Sequence, residues 1–376
     1  MRFSLLGARR TGSLLALPAI ALVAYACGGS TAATGGADAG FDAADAGVSL
    51  HDAAPPPTTP GLPPDPGGPT PDGTGSVVLA MSHLYMGDTD RNGVPSGAAW
   101  KQYGLNLDGK ITTRDSTDVC ALSSGASRTT QVDGAGGIDN SWGANVLPIW
   151  LTIFGSDFSK RMNDAINRGG FTMMVRVDKL GSQDNYAPLP GSFYTGAGLQ
   201  SSPTWSGNDV WPVTFDSVVG GDINQPNVVF AQGYMNARQY VGAPPVNGLK
   251  LLPIGGVGAF VSLSRAQITM RVAADGSSAT DGMIVGVIPT EDYVLELKKV
   301  AGRISTSLCS GAAFDSIAQQ IRQAQDIMID GTNQPGVSCN GISFGWGFDA
   351  KRVQLGAVAP PSTPSGDPCG PPDAGH

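Results

Sequence analysis

Basic residues, histidine and glutamate are all scarce in this chain, and each scarcity removes a class of function. Lys and Arg together number 23 against 31 acidic residues, a formal charge of −8. No basic stripe occurs, so nucleic acid and anionic lipid surfaces are poor partners. Histidine occurs only at His51, His83 and His376. His51 and His376 lie in Pro/Gly-rich end segments, so any histidine-based mechanism must use His83. Glutamate occurs only at Glu291 and Glu296, and the remaining acids are aspartates, many beside Gly or Asn. That placement suits turns and oxygen-liganded hard cations better than helix surfaces. No C-x-x-C is present, which disfavours zinc. No P-loop or dinucleotide fingerprint occurs either, because Gly255-Gly256-Val257-Gly258 has no helix pattern behind it. Apolar runs of the ~20 residues needed to span a bilayer are missing.

What the chain does have begins at its N-terminus. Arg2, Arg9 and Arg10 precede the apolar run Leu14 to Val23, and Ala24-Tyr25-Ala26 leads into Cys27. This is the layout of an export signal. The A-x-A site also suits simple release of a secreted protein. A cysteine directly after small residues resembles the lipobox of bacterial lipoproteins. That resemblance implies cleavage before Cys27, lipidation of Cys27, and a mature chain tethered to a membrane. No Asp follows Cys27, which under the same resemblance implies the outer membrane. Loss of Arg2, Arg9 and Arg10 with the signal makes the mature chain more acidic still.

Residues 28–75 are Ala, Gly, Asp, Thr and Pro with almost no large apolar side chains. Such a tract buries too little surface to offset its conformational entropy, and reads as a disordered tether. The expected organisation is signal 1–26, lipidated Cys27 and tether to 75, a globular region 76–358, and a Pro/Gly-rich tail 359–376. The globular region is long enough for one large domain or two subdomains.

Strand signals dominate that region. Val77 to Met81, Phe171 to Val177, Val228 to Met235 and Ala259 to Leu263 are short β-branched or apolar runs. Gln267 to Val272 alternates, Asp275-Gly276 is a turn signal, and Met283 to Ile288 returns, which reads as an antiparallel hairpin. Three helices are expected: one capped at Ser156 or Asp157 and running to Asn167, one from Thr290 with Glu291 and Asp292 in its first turn, and one capped at Ser310. The fold class is therefore mainly β, sandwich-like and antiparallel with a few inserted helices, with α+β as the alternative.

Four cysteines besides Cys27 suggest two disulfides in an exported protein. Three pairings are possible. Cys309 and Cys339 bracket the third helix, which favours that pair and leaves Cys120 with Cys369. Asp88-Thr89-Asp90-Arg91-Asn92-Gly93 places oxygen ligands at alternate positions before a glycine. It resembles the D-x-D-x-N-G loops of EF-hands, dockerins and thrombospondin type 3 repeats, which implies Ca2+ on Asp88, Asp90 and Asn92. Ala99 stands where an EF-hand needs its bidentate Glu, and solvated aspartate turns are the competing reading. Trp205 and Trp211 flank a polar, turn-rich stretch and could stack on a carbohydrate, or could simply cover the core. Gly341-Ile342-Ser343-Phe344-Gly345 matches G-x-S-x-G, but no helix pattern follows it and the only later histidine is His376.

Signal, tether and composition together resemble lipoproteins of GC-rich Gram-negative bacteria, a resemblance that includes no catalytic motif. The function expected is an exported, lipid-tethered envelope protein acting as a binding or structural module. The alternative is an exported polysaccharide hydrolase using a pair of aspartates.

Overall fold

The computed structural model describes residues 61–254, 259–309, 311–361 and 369. Cys27, its signal and the tether to residue 60 lie outside the described residues.

Among the described residues there are eleven strands: β1 Ser76–Tyr85, β2 Thr172–Asp178, β3 Gly191–Gly196, β4 Val210–Val213, β5 Val228–Phe230, β6 Tyr234–Asn236, β7 Gln239–Val241, β8 Leu249–Ile254, β9 Ala259–Val272, β10 Ser278–Pro289 and β11 Gly341–Val358. Four α-helices are inserted: α1 Leu147–Phe154, α2 Phe158–Asn167, α3 Thr290–Ile304 and α4 Ala312–Gln323. The protein is thus mainly β with a few helices. Pairing is antiparallel except between β4 and β11, which run parallel. The strands join one continuous mixed sheet rather than two separate ones, and β8 folds back so that it packs over β2.

The longest strand explains the shape. In β11, Ile342, Phe344, Trp346, Phe348 and Ala350 point into the main core, while Gly341, Ser343, Gly345 and Gly347 alternate with them. The glycines have a packing reason: a Cβ on Gly347 would stand 2.5 Å from the Tyr103 ring, and one on Gly345 would stand 2.2 Å from the Tyr103 carbonyl oxygen. The long segment between β1 and α1, which has only short helical turns, lies on this glycine face. The G-x-S-x-G match is therefore paired strand backbone at the start of β11, not a strand–turn–helix elbow.

Helices α1, α2, α3 and α4 contribute to the same core through Trp150, Phe158, Met162, Leu297 and Ile321. Asn163 of α2 fits the end of β1 closely. Its Oδ1 accepts from Leu84 N at 2.7 Å and its Nδ2 donates to Leu84 O at 2.9 Å. Leu84 still pairs with Phe348 of β11, but the pairing of β1 with β2 ends at Ala80, so these bonds satisfy backbone on the edge that β2 leaves open. Glu291 at the start of α3 takes two charge-assisted bonds from Arg322 of α4, at 2.7 and 2.8 Å.

A second, smaller core sits on the other face of β1. β1 pairs with both β2 and β11, β2 with β3, β3 with β4, and β4 with β11, so these five strands close on themselves. Each contributes to the enclosed cluster: Val78 and Ala80, Met174, Tyr194, Trp211 and Val213, and Val353. This is a five-stranded barrel filled by side chains.

Two expectations are corrected. The disulfides are Cys120–Cys339 and Cys309–Cys369, not Cys309–Cys339 with Cys120–Cys369. Cys120 lies beside the start of β11 because the long segment crosses that strand, a proximity set by the sheet and not by sequence spacing. Residues 61–75 are also not a free tether. Gly61, Pro64, Asp65, Pro69 and Gly75 each give a carbonyl to the body, accepting from Asn106, Tyr234, Asn236, Ala187 and Lys179. The Tyr186 hydroxyl also donates to Asp72 at 2.8 Å. Prolines there carry no N–H to satisfy, so a Pro-rich strip can lie along the fold by its carbonyls alone.

Candidate functional site

A cleft of about 840 Å³ opens between the loop after β1, the start of α1 and the exposed side of α2. Ala144, Leu147, Pro148 and Leu151 give it an apolar wall, and His83, Asp88, Asp157 and Asp164 line it as well. One cation lines it, Lys160, and its ammonium lies 2.6 Å from Asp164. The cleft is therefore acidic on balance, with an apolar floor, a combination that suits small ligands carrying a few fixed polar contacts.

The loop that forms one wall carries the D-x-D-x-N-G sequence. Asp90 Oδ1 accepts from Asn92 N at 2.8 Å and from Val94 N at 2.9 Å, an aspartate turn that Gly93 completes at φ +77°. That oxygen of Asp90 is thus spent on the backbone. Asp88 is different: its Oδ1 is buried and has no hydrogen-bond partner among the described residues. Asn92 is exposed. Among the described residues no three His, Cys, Asp or Glu side chains are arranged to hold a metal ion. Ser159, on α2, also lines the cleft with a buried, unpartnered hydroxyl.

Arg91 fixes this loop. Its guanidinium lies 5.2 Å from the Tyr85 ring centre and 5.5 Å from that of Tyr103, and Nη2 donates to Gly282 O at 3.0 Å. Tyr85 in turn donates to Asp349 Oδ2 at 2.7 Å. Burial and that bond push the Tyr85 hydroxyl up to about 12. Reading the loop as a metal motif passed over Arg91, the side chain that actually holds it in place. His83 sits beside Tyr85, with ring centres 4.6 Å apart. Burial lowers its pKa, Asp349 pulling the other way, so its imidazole is neutral at pH 7.

Three carboxyls are pushed up, and none lines this cleft. Burial takes Asp133 to about 7 and Asp326 to about 8, and raises Asp139 well above the usual carboxylate range. Asp139 accepts from Leu107 N at 2.7 Å, and the carboxyls of Asp133 and Asp139 are within hydrogen-bonding reach of each other. Ser343 is fully buried, accepting from Ser141 N and donating to Asp326, so it cannot act as a nucleophile.

The two tryptophans are brought together, but not as a sugar platform. Trp211 is fully buried in the barrel and donates from Nε1 to Ala197 O at 2.6 Å. Trp205 is half-buried and stacks on it, ring centres 5.6 Å apart. Together they cover the small core, the second of the two readings of that stretch.

Compared with known proteins, the chain matches no family model, no curated protein and no solved structure.

Proposed function

We propose that this is an exported, lipid-tethered cell-envelope protein that works as a binding module, taking a carbohydrate in the cleft between the Asp88 loop and α2. One observation carries the reading: two polar atoms that line the cleft, Asp88 Oδ1 and Ser159 Oγ, are buried and unpartnered beside an apolar wall. Buried polar groups are costly unless paired. A hydroxyl-bearing ring offers donors for a carboxylate and an apolar face for Pro148 and Leu151.

Binding is favoured over hydrolysis by where the protons sit. Glycoside cleavage needs one carboxyl held protonated at the scissile bond. The three raised carboxyls are buried elsewhere, and Asp164 at the cleft is lowered by Lys160.

Calorimetric titration of the exported chain with neutral envelope oligosaccharides tests this, run with and without calcium to probe Asp88, Asp90 and Asn92. Saturable binding that Asp88→Ala reduces about tenfold or more supports the reading. Turnover of the sugar, or binding indifferent to Asp88→Ala, rejects it. Membrane attachment is tested separately: Cys27→Ser should move the protein from the detergent phase to the aqueous phase.

A further inference from the structure

One open end of the small barrel forms a cavity of about 510 Å³, lined by Ser76, Arg176, Asn208, Arg352 and Gln354 among others. Among the described residues two arginines line it and no acidic residue does. In a chain of net charge −8 that is a local reversal of sign.

We propose that this barrel mouth is a second ligand site, one that takes an oxyanion group: a phosphate, sulfate or carboxylate.

The site is built rather than incidental. Arg176 lies on β2 opposite Val78 of β1, and so projects from the barrel's inner face. Its Nε donates to Asp178 Oδ1 at 2.7 Å, which orients the guanidinium, and a guanidinium has five donors in all. Arg352 lies on β11 opposite Leu79 of β1, on the other face of the wall from Arg176, and borders the cavity beside Gly207; it is exposed and has no ion-pair partner among the described residues. The loop Ser206-Gly207-Asn208 closes the third side. Asp209 holds this loop, its carboxylate accepting from Thr204 N at 2.9 Å and Trp205 N at 2.7 Å. Those bonds hold the Asp209 carboxyl below its usual range, so it stays ionised and committed to the loop. Trp205 itself sits at φ +55°, a left-handed conformation that bulky residues avoid. Strain of this kind persists where surrounding contacts impose it. Here the Trp205–Trp211 stack and the Asp209 bonds do so, and the loop is left lying over the cavity. Gly207, at φ +88°, lies against the aliphatic stem of Arg352.

The chemistry follows from the donors. Two guanidiniums with the side-chain amides of Asn208 and Gln354 match the several acceptor oxygens of one oxyanion. Asp178 offsets part of the charge of Arg176 and none of that of Arg352, so Arg352 supplies the larger share of attraction.

The test uses the full exported chain, titrated calorimetrically with three probes: inorganic phosphate, a sulfated disaccharide and a uronic-acid disaccharide. Saturable binding of at least one is expected, and which one binds identifies the source of the oxyanion. Added salt should weaken it, because an exposed arginine is screened. Arg352→Gln should lower affinity about tenfold or more, and Asn208→Ala should lower it less. Asp88→Ala, in the separate cleft, should change nothing. Arg352 is exposed, so its loss leaves the fold intact, and the melting temperature of the variant checks this. No saturable binding of any probe, or binding unchanged by Arg352→Gln, overturns the proposal.

Discussion

Ser343 gives both of its donors to Asp326: its backbone N–H to Oδ1 at 2.8 Å and its hydroxyl to Oδ2 at 2.5 Å. Even so, burial outweighs the two bonds, and the Asp326 carboxyl is pushed up to about 8. Asp133, at about 7, and Asp139 shift the same way, and the two face each other. The folded protein therefore holds protons that the unfolded chain releases in the ordinary aspartate range, near 3.8. Stability from these groups is fully present below about pH 4 and is lost as pH rises towards 7–8.

Unfolding free energy should fall between pH 5 and pH 8 by up to about 1.4 kcal/mol per pH unit for each retained proton, and the melting temperature with it. Asp326→Asn keeps an acceptor and a donor for Ser343 without the charge. It should flatten the profile, and melting across the pH series checks it. A profile of the same slope in wild type and variant would remove Asp326 from the account.

Non-reducing peptide mapping should return Cys120 joined to Cys339 and Cys309 joined to Cys369. The first bond spans 219 residues and pins the segment that covers the glycine face of β11. Cys120→Ala with Cys339→Ala should cost about 2–5 kcal/mol, mostly through a freer unfolded chain. Denaturant unfolding measures it.

Trp211→Ala should cost about 3–5 kcal/mol, because the indole fills the barrel and nothing can collapse into the space. Trp205→Ala should cost clearly less, since one side of that ring is already in water. Neither should affect binding in the Asp88 cleft. Urea unfolding of the two variants, with the sugar titration repeated, separates packing from recognition.

A chain starting at Ser76 should melt well below one starting at Gly61. The strip 61–75 makes six hydrogen bonds to the body in the contacts described above. Each is worth about 0.5–1.5 kcal/mol net. Calorimetric melting of the two chains decides it. Equal melting temperatures would mean that the strip lies on the surface without stabilising it.

Local patterning carried a good deal. Alternation from Gln267, with Asp275-Gly276 behind it, is the β9–β10 hairpin, and Gly276 takes φ +67° in that turn. The three expected helices are α2, α3 and α4, because their apolar spacings and first-turn acids act within a few residues. Helix α1 was missed: it is apolar almost all round and gives no amphipathic period. Strand β11 was missed because Gly341, Gly345 and Gly347 read as breakers when Tyr103, which packs against two of them, is more than 200 residues away in sequence. The run from Val228 reads as one strand and is two, β5 and β6, which pair with different neighbours.

For the sites the division is sharper. The sequence by itself marked Asp88 to Gly93 as a short Asp/Asn/Gly loop and left it open between a Ca2+ loop and an aspartate turn; the bonds of Asp90 to nearby backbone are those of the turn. It also singled out Trp205 and Trp211, leaving open whether they stack on a carbohydrate or cover the core. Only the tertiary structure decided that Asp88 lines a cleft with α2, and that Trp211 fills a barrel while Asn208 and Arg352 face its mouth. It alone decided which cysteines meet and that Asp326 is buried. Turns and helix starts are set by contacts a few bonds apart. Burial, charge pairing and disulfide partners depend on strands brought together from opposite ends of the chain, and a single sequence holds no local signal for that.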